Sequence, residues 1–234
     1  MYKNNVLIIT PTFNESKNIN EFINNVVTNN FHALIVDDNS PDNTSKYVTE
    51  HTEFNKSIFL IIREKKLGLG TAYIQGFNQG LKNKNYQYFV EMDADFSHRF
   101  EDLNKMLEYK TKFDLIIGSR YIEFGKTVGW SWRRRILSKY ANRISKHITN
   151  SNINDMTSGF RVYSRKGLES INFKNVYSNG YSFQIEMANI ANLKGLSIKE
   201  VPIIFLERKN GKSKMNYKIT FEAIKYLFKL YFLP

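Results

Sequence analysis

Asp93 and Asp95 stand one residue apart in YQYFVEMDADFSH, where an apolar run ends. Paired hard oxygen ligands suit Mg²⁺ or Mn²⁺ better than zinc, and such cations commonly share their carboxylates with substrate phosphates. The pair therefore points to phosphate-bearing chemistry, although solvated carboxylates at strand ends are common. Upstream, TPTFNESKN supplies Pro11, Phe13 and Glu15. A stiff turn, a flat ring and a carboxylate suit a nucleoside, with the ring packed and the ribose hydroxyls accepted by Glu15. Asn14 or Ser16 is placed to cap the helix that follows. IVDDNSPDNT adds Asp37 and Asp38, one of them placed to bond a base N–H, and then a turn and a cap. KKLGLGTAYIQGF offers Gly68 and Gly70 before a helix. Its spacing matches neither G-x-G-x-x-G nor the Walker pattern, leaving a close backbone approach to the sugar-phosphate or a plain turn. His98 is placed to touch a phosphate, whereas His32, His51 and His147 show no metal-ligand spacing and no Ser-His-Asp order is evident.

The elements that must position these groups read as strand and helix in alternation. Apolar runs at residues 6–10, 33–36, 58–62, 88–92 and 115–118 predict strands, and Ile19, Phe22, Ile23, Val26 and Val27 recur at helical spacing between the first two. Such alternation implies right-handed crossovers and a mostly parallel, Rossmann-like sheet covered by helices on both faces. Ligands then bind beyond the carboxyl ends of the strands, where both acidic pairs fall. After Tyr121 the regularity fades and GWSWRRRILSKYANRISKHI predicts a helix. Arg135, Lys139, Arg143 and His147 recur every four residues, and Ile136, Leu137, Tyr140, Ile144 and Ile148 form the apolar side. Behind Trp130 and Trp132 this reads either as a membrane-surface element or as a helix packed on the sheet with a solvated basic face. Residues 217–233 are apolar apart from a stripe of Lys218, Glu222, Lys225 and Lys229, which suits an interfacial or oligomer-facing helix better than a spanning one.

The 234 residues are 42% hydrophobic and contain no cysteine, which allows a substantial core and excludes disulfides and thiolate metal sites. The opening residues turn polar too soon for a secretory signal. Lys plus Arg number 34 against 22 Asp plus Glu, a net +12 that attracts nucleic acid, anionic headgroups or nucleotide phosphates alike.

Together with MDADFSH and IIGSRY, these segments resemble the family 2 glycosyltransferases of the GT-A fold, which transfer a sugar from a nucleotide diphosphate donor. DDNSPDNT, LGLGTAYIQGF, MDADFSH, GSRY, DMTSGFRVY and GYSFQIEM, in that order, resemble the dolichol-phosphate or polyprenol-phosphate mannose synthases. The resemblance runs from Ile9 to about Lys214. It implies an α/β, GT-A Rossmann-like catalytic domain over residues 1–214, with C-terminal amphipathic helices at the membrane surface and a membrane-interfacial helix over residues 215–234.

On that resemblance Pro11, Phe13, Glu15, Val36 and Asp38 hold the guanosine, Phe13 keeping the ring but losing the hydroxyl of the Tyr common in the family. Asp93 and Asp95 bind Mg²⁺ or Mn²⁺, Ala94 adds a backbone contact to the nucleotide, and Ser97 stands where some relatives carry a metal-contacting Gln. Arg120, Arg208 and Lys214 match cations that grip the donor diphosphate or acceptor phosphate, a structural salt bridge being the other reading of each. Arg133 and Ser213 fall to the acceptor phosphate, with Arg134 and Arg135 read as solvated. Asp95, Arg120 and Asp155 form the implied catalytic set. Asp155 is expected to organise the site, since a lipid monophosphate is already anionic and needs no base. Gln184 and Glu186 are candidates for the sugar pocket, but their apolar neighbours favour core packing.

The implied activity is inverting transfer of mannose from GDP-mannose to a dolichyl or polyprenyl monophosphate. The enzyme would sit peripherally at the cytoplasmic face of a plasma or ER membrane, directly or through a membrane-anchoring partner subunit. The enzymatic rival is a polyprenyl-phosphate glucosyltransferase using UDP-glucose. From other classes come a basic nucleic-acid-binding module, disfavoured by the acidic strand ends, and a catalytically silent membrane scaffold.

Overall fold

The apolar residues of the first strand alternate in direction, and the two resulting cores organise the molecule. The computed structural model describes residues 5–178 and 180–208. Strand β1 (Val6–Thr12) sends Val6 and Ile8 to one face and Leu7 and Ile9 to the other. On the first face lie α1 (Ile19–Thr28) and α4 (Phe100–Leu107), with Phe22, Ile23, Val26, Leu103 and Met106 fully buried. On the second lie α3 (Leu69–Lys82) and α7 (Gly180–Leu193), contributing Tyr73, Phe77, Phe183 and Met187. Each such side chain contributes roughly 1.5–3 kcal/mol when removed from water, so the two faces fix the register of β1.

Strands β2 (His32–Asp37), β3 (Ile58–Ile62), β4 (Tyr88–Glu91) and β5 (Leu115–Ser119) fall on the expected runs to within two residues at their ends. A short helix α2 (Thr44–Thr49) follows β2. The sheet runs β3-β2-β1-β4-β7-β5-β8, with β7 (Arg161–Ser164) antiparallel to both neighbours and β8 (Ile198–Pro202) parallel to β5. The carboxyl ends of β1, β2, β4 and β5 therefore share one edge, where the amino end of β7 also lies. A small second sheet pairs β6 (Lys126–Val128) with β9 (Ile204–Leu206), which brings Phe205 and Arg208 to the same edge. Sequence patterning missed β7: its four residues break the strand–helix alternation and pair through contacts of long range.

Helix α5 (Trp132–Ile148) forms where expected, with the Ser131 hydroxyl accepting the N–H of Arg134 as its cap. Of its apolar side, Ile148 packs against the second core face and the rest does not. Asn142 and Ser145 are buried, while Ile136, Leu137, Tyr140 and Ile144 are exposed, as is Trp132 at 63%. The buried Asn142 amide donates to Thr157 Oγ1 at 3.0 Å and accepts the Thr157 N–H at 3.0 Å, so the polar stripe anchors the helix to a loop of the cleft. Among the described residues no helix is long and apolar enough to cross a membrane. A short helix α6 (Arg165–Glu169) and a 3₁₀ turn (Phe173–Asn175) complete the described elements.

Candidate active site

A cleft of about 400 Å³ opens along the shared sheet edge. At its β1–β3 end Pro11, Phe13, Glu15, Asp38, Lys66 and Gly68 form the wall. Lys66 Nζ sits 4.0 Å from the Phe13 ring centroid, and Glu15 accepts a hydrogen bond from Asn18 Nδ2 at 2.8 Å. Asp37 points away from the cleft, accepting from Thr12 Oγ1 at 2.7 Å and from the Ser40 N–H and hydroxyl at 2.8 and 2.6 Å. Asp38 faces in and meets Arg63 Nε at 2.5 Å. Burial pushes the Asp38 carboxyl above its usual range, against the partly offsetting Arg63 charge. Arg63 also donates to Thr71 Oγ1 and to the Gly68 carbonyl, tying the second strand end to the GLG turn. Gly68 takes φ +104, which its lack of a side chain permits, whereas Gly70 is small because a Cβ there would sit 2.7 Å from the Ser178 carbonyl.

The middle of the cleft carries Asp93, Ala94 and Asp95. Phe96 adopts φ +64, a left-handed conformation that costs a bulky side chain roughly 1–2 kcal/mol. The turn this makes lets the Ser97 N–H reach Asp95 Oδ1 at 3.0 Å and the Asp93 N–H reach His98 Nδ1 at 3.1 Å. His98 is buried and stacked on Phe160 at 4.6 Å, and burial lowers its pKa to about 4. A neutral ring accepts the Asp93 N–H, so His98 holds the loop as an acceptor. Arg208 pairs with Asp95 Oδ2 at 3.4 Å. Among the described residues no group of three or more His, Cys, Asp or Glu gathers to hold a metal.

At the far end Arg120, Trp130, Arg134 and Phe205 close the cleft. The Arg120 guanidinium grips Asp155 through Nε at 2.8 Å and Nη2 at 2.6 Å, and the Arg120 N–H adds a third bond at 2.9 Å. Asp155 is fully buried and does not line the cleft. Its own N–H donates to Glu200 Oε1 at 2.9 Å, so β8 fixes the carboxylate that fixes the arginine. Arg134 lies 3.9 Å over the Trp130 ring, whose edge meets Phe205. Beneath the cleft, burial pushes the Glu91 pKa up to about 7 despite the nearby Arg161 charge. Arg161, itself fully buried, donates to the carbonyls of Ser158, Met156 and Gln184.

This arrangement has known relatives. The family model for glycosyl transferase family 2 matches residues 7–171. The chain belongs to that family. It is accordingly a glycosyltransferase. The chain is 42% identical over 214 residues to the polyprenol monophosphomannose synthase of Mycolicibacterium smegmatis, covering 90% of this chain and 80% of that protein. It is 38% identical over 221 residues to the undecaprenyl-phosphate mannosyltransferase of Micrococcus luteus, covering 94% and 90%. Among solved structures, glucosyl-3-phosphoglycerate synthase from Mycobacterium tuberculosis with Mn²⁺, UDP-glucose and phosphoglyceric acid superimposes with TM-score 0.73 at 15% identity, covering 99% of this chain and 81% of that one. The mannosyltransferase PcManGT from Pyrobaculum calidifontis, in complex with GDP-Man and Mn²⁺, gives 0.56 at 15%, covering 91% and 59%. These likenesses show the fold, a GT-A-like mostly parallel sheet flanked by helices.

Of the residues expected in this glycosyltransferase's site, Pro11, Phe13, Glu15, Asp38, Asp93, Ala94, Asp95, Arg120 and Arg208 line the one cleft. Three expectations meet a different geometry. Val36 does not line the cleft, because its side chain packs in the core against α3 at Gly76. Ser97 is buried outside the cleft and meets Asp95 through its backbone N–H. Arg133 is exposed beside Trp132, while Arg134, one residue on, turns into the cleft, since one residue is about 100° of helix. Ser213, Lys214 and the helix expected over residues 215–234 lie outside the described residues. Glu186 accepts the N–H groups of Ser178 and Tyr177, a structural duty, whereas its neighbour Gln184 reaches the cleft. Lys66, Tyr73, Trp130 and Arg134 escaped sequence reasoning in this role. For Arg134 the helical period alone offered a signal.

Proposed function

We propose that this glycosyltransferase moves mannose from GDP-mannose to a polyprenyl or dolichyl monophosphate, with inversion at the anomeric carbon. The observation that supports this reading is a single cleft joining a nucleoside-shaped end, a carboxylate pair and three arginines to a helix that turns its apolar side outward. The names of the two relatives point to the same acceptor class. Pro11, Phe13, Glu15 and Asp38 would seat the guanosine, and Asp93 and Asp95 the diphosphate's cation. Two carboxylates, with Arg208 beside Asp95, leave a divalent ion dependent on phosphate oxygens for its remaining ligands, a habit of Mg²⁺ and Mn²⁺. When bound, that ion neutralises charge on the leaving diphosphate.

The residues of the chain supply the rest. Arg120 and Arg208 present guanidinium groups to the departing GDP. Asp155, buried and triply bonded to Arg120, acts as a positioning residue and reaches no substrate atom. Arg134, braced on Trp130, would hold the incoming lipid phosphate. A phosphate oxygen attacks the anomeric carbon, the bond to the GDP oxygen breaks, and the electron pair leaves with GDP. The attacking phosphate is already ionised, so no protein base is required.

Docking is peripheral in this reading, at the cytoplasmic face of an anionic bilayer, by the chain alone or with a membrane-anchoring partner subunit. The outward side of α5 carries Ile136, Leu137, Tyr140 and Ile144, and Lys139, Arg143 and Lys146 of the same helix line an open hollow of about 580 Å³ shared with Arg120 and Asn142. Apolar residues beside cations are what an interfacial helix offers to acidic lipid. The test is transfer of labelled sugar from GDP-mannose and from UDP-glucose to polyprenyl phosphate, with Mg²⁺ and with Mn²⁺. Mannosyl lipid is expected; glucosyl lipid alone would overturn the reading.

A further inference from the structure

Two polar side chains in the floor of the cleft each keep an oxygen with no hydrogen-bond partner. Gln184, on α7, is 2% exposed; its amide nitrogen lies beside the buried Glu91 carboxylate, and its side-chain carbonyl oxygen has no hydrogen-bond partner. Tyr73, on α3, is fully buried and its hydroxyl is likewise unpartnered. Both line the cleft. Leaving a buried polar group unsatisfied costs roughly 1–3 kcal/mol, so such groups in a native fold call for a partner. The Tyr73 side chain is not free to turn away to find one. The Tyr73 ring stacks on Phe183 with centroids 6.0 Å apart and planes at 4°, and on Phe77 at 6.1 Å. The backbone carbonyl of Gln184 accepts from Arg161 Nη2 at 2.8 Å, which fixes the main chain that carries the amide.

Position says which part of the donor they meet. The nucleoside wall lies at the β1–β3 end and the carboxylates Asp93 and Asp95 lie at the centre. The Tyr73 hydroxyl is close enough to Asp93 and Asp95 for their charges to raise its pKa further, burial being the larger cause, so it stays a phenol. Gln184 is neighbour to Gly159, which also lines the cleft, and to Glu91 below. Tyr73 thus lies close to the carboxylates that would hold the diphosphate's cation, and Gln184 adjoins it through Phe183, so both lie within reach of the hexose that a nucleotide sugar carries on its diphosphate. A carboxamide presents a donor and an acceptor side by side, which matches two neighbouring hydroxyls of a pyranose, and a phenol matches a third. Trp130 Nε1 is unpartnered too, but it stands at the α5 end beside Arg134 and faces the acceptor side.

We propose that Gln184 and Tyr73 form the hexose-reading subsite of the cleft and determine which sugar is transferred. The proposal deepens the donor assignment and rests on the cleft's being a nucleotide-sugar site. A site that hydrogen-bonds substrate hydroxyls penalises a sugar that leaves these groups unpaired, so discrimination between epimers follows from the same contacts.

The experiment compares GDP with GDP-mannose by titration calorimetry in Mn²⁺, for the unaltered full chain and for Gln184→Met, Tyr73→Phe and Gly159→Ala. Gly159→Ala is the variant that spares the fold: its methyl would stand 3.6 Å from Gln184 Nε2, an ordinary contact, and cover the amide from the cleft. GDP affinity is expected to stay within about twofold throughout, whereas GDP-mannose weakens about tenfold for Gln184→Met and severalfold for the other two. The preference for GDP-mannose over GDP-glucose should shrink in parallel. If GDP-mannose affinity tracks GDP affinity in the folded variants, the subsite assignment is wrong. If the unaltered chain instead prefers UDP-glucose, the mannose reading fails on its own, and the UDP to UDP-glucose ratio judges the subsite in the same way.

Discussion

Helices α1 and α5 are both amphipathic, and they face opposite ways. Helix α1 drives Ile19, Phe22, Ile23 and Val26 into the core, whereas α5 buries Asn142 and Ser145 and leaves Ile136, Leu137, Tyr140 and Ile144 to the outside. Periodicity gives the angle between the faces of a helix but not which face meets the protein. The difference extends to the halves that contain them. In the first half, site residues stand at or just beyond the ends of strands, so the sheet delivers them directly. In the second, Arg120 is held by Asp155, Asp155 by Glu200, and Thr157 by Asn142, each from another element.

The comparison can be tested from its largest consequence to its smallest. Asp95→Ala, in the first half, should cut transfer on the order of 10³-fold, the several kcal/mol a positioned cation supplies, with thermal stability almost unchanged. Transfer that survives Asp95→Ala in a folded protein would remove the carboxylate pair from the mechanism. Chelation with EDTA is expected to match that loss in the unaltered enzyme, and re-addition of Mn²⁺ to restore it. Asp155→Ala, in the second half, strands a buried guanidinium and should cost roughly 3–5 kcal/mol of stability as well as activity, measured by urea unfolding. Equal stability of Asp95→Ala and Asp155→Ala would erase the distinction between the halves.

The helices give the next contrast. Phe22→Ala in α1 should destabilise by roughly 3–5 kcal/mol, whereas Ile144→Ser in α5 should stay within about 0.5 kcal/mol. Binding to vesicles rich in phosphatidylglycerol is the complementary readout. Ile136→Ser with Ile144→Ser should weaken it tenfold or more, since each isoleucine removed from water is worth roughly 1.5–3 kcal/mol. Undiminished vesicle binding by that double variant would mean that α5 turns its apolar side toward something other than lipid. The smallest effect belongs to the basic flank: Lys139→Gln should lower vesicle affinity by about 1 kcal/mol, and only at low salt.

Much of the site was legible because its groups are adjacent in sequence to the strands that carry them. Pro11, Phe13 and Glu15 follow an apolar run directly, and Asp93 and Asp95 follow another, so reading the strands located them at one edge. Where a helix supplies the group, one position decides. Arg133 and Arg134 are chemically alike, and only the turn of α5 sends the second to the cleft. Val36 shows the converse in a strand, where alternate residues face opposite sides and its side enters the core while Asp38 faces the cleft. Gln184 sat among Phe183, Ile185 and Met187 and read as core; its neighbours are indeed buried, but its place in the cleft and its unpartnered side-chain oxygen are visible only in three dimensions.

By itself the sequence determined the β–α alternation, the composition of both core faces and the order of acidic strand ends. These follow from side-chain period and chain adjacency, which are local. Tertiary structure decided the antiparallel β7, the outward turn of α5, the partner of Arg120 and the opening over Gln184. Each depends on residues brought together from well-separated parts of the chain, and no local pattern encodes which of several chemically suitable partners will be nearest.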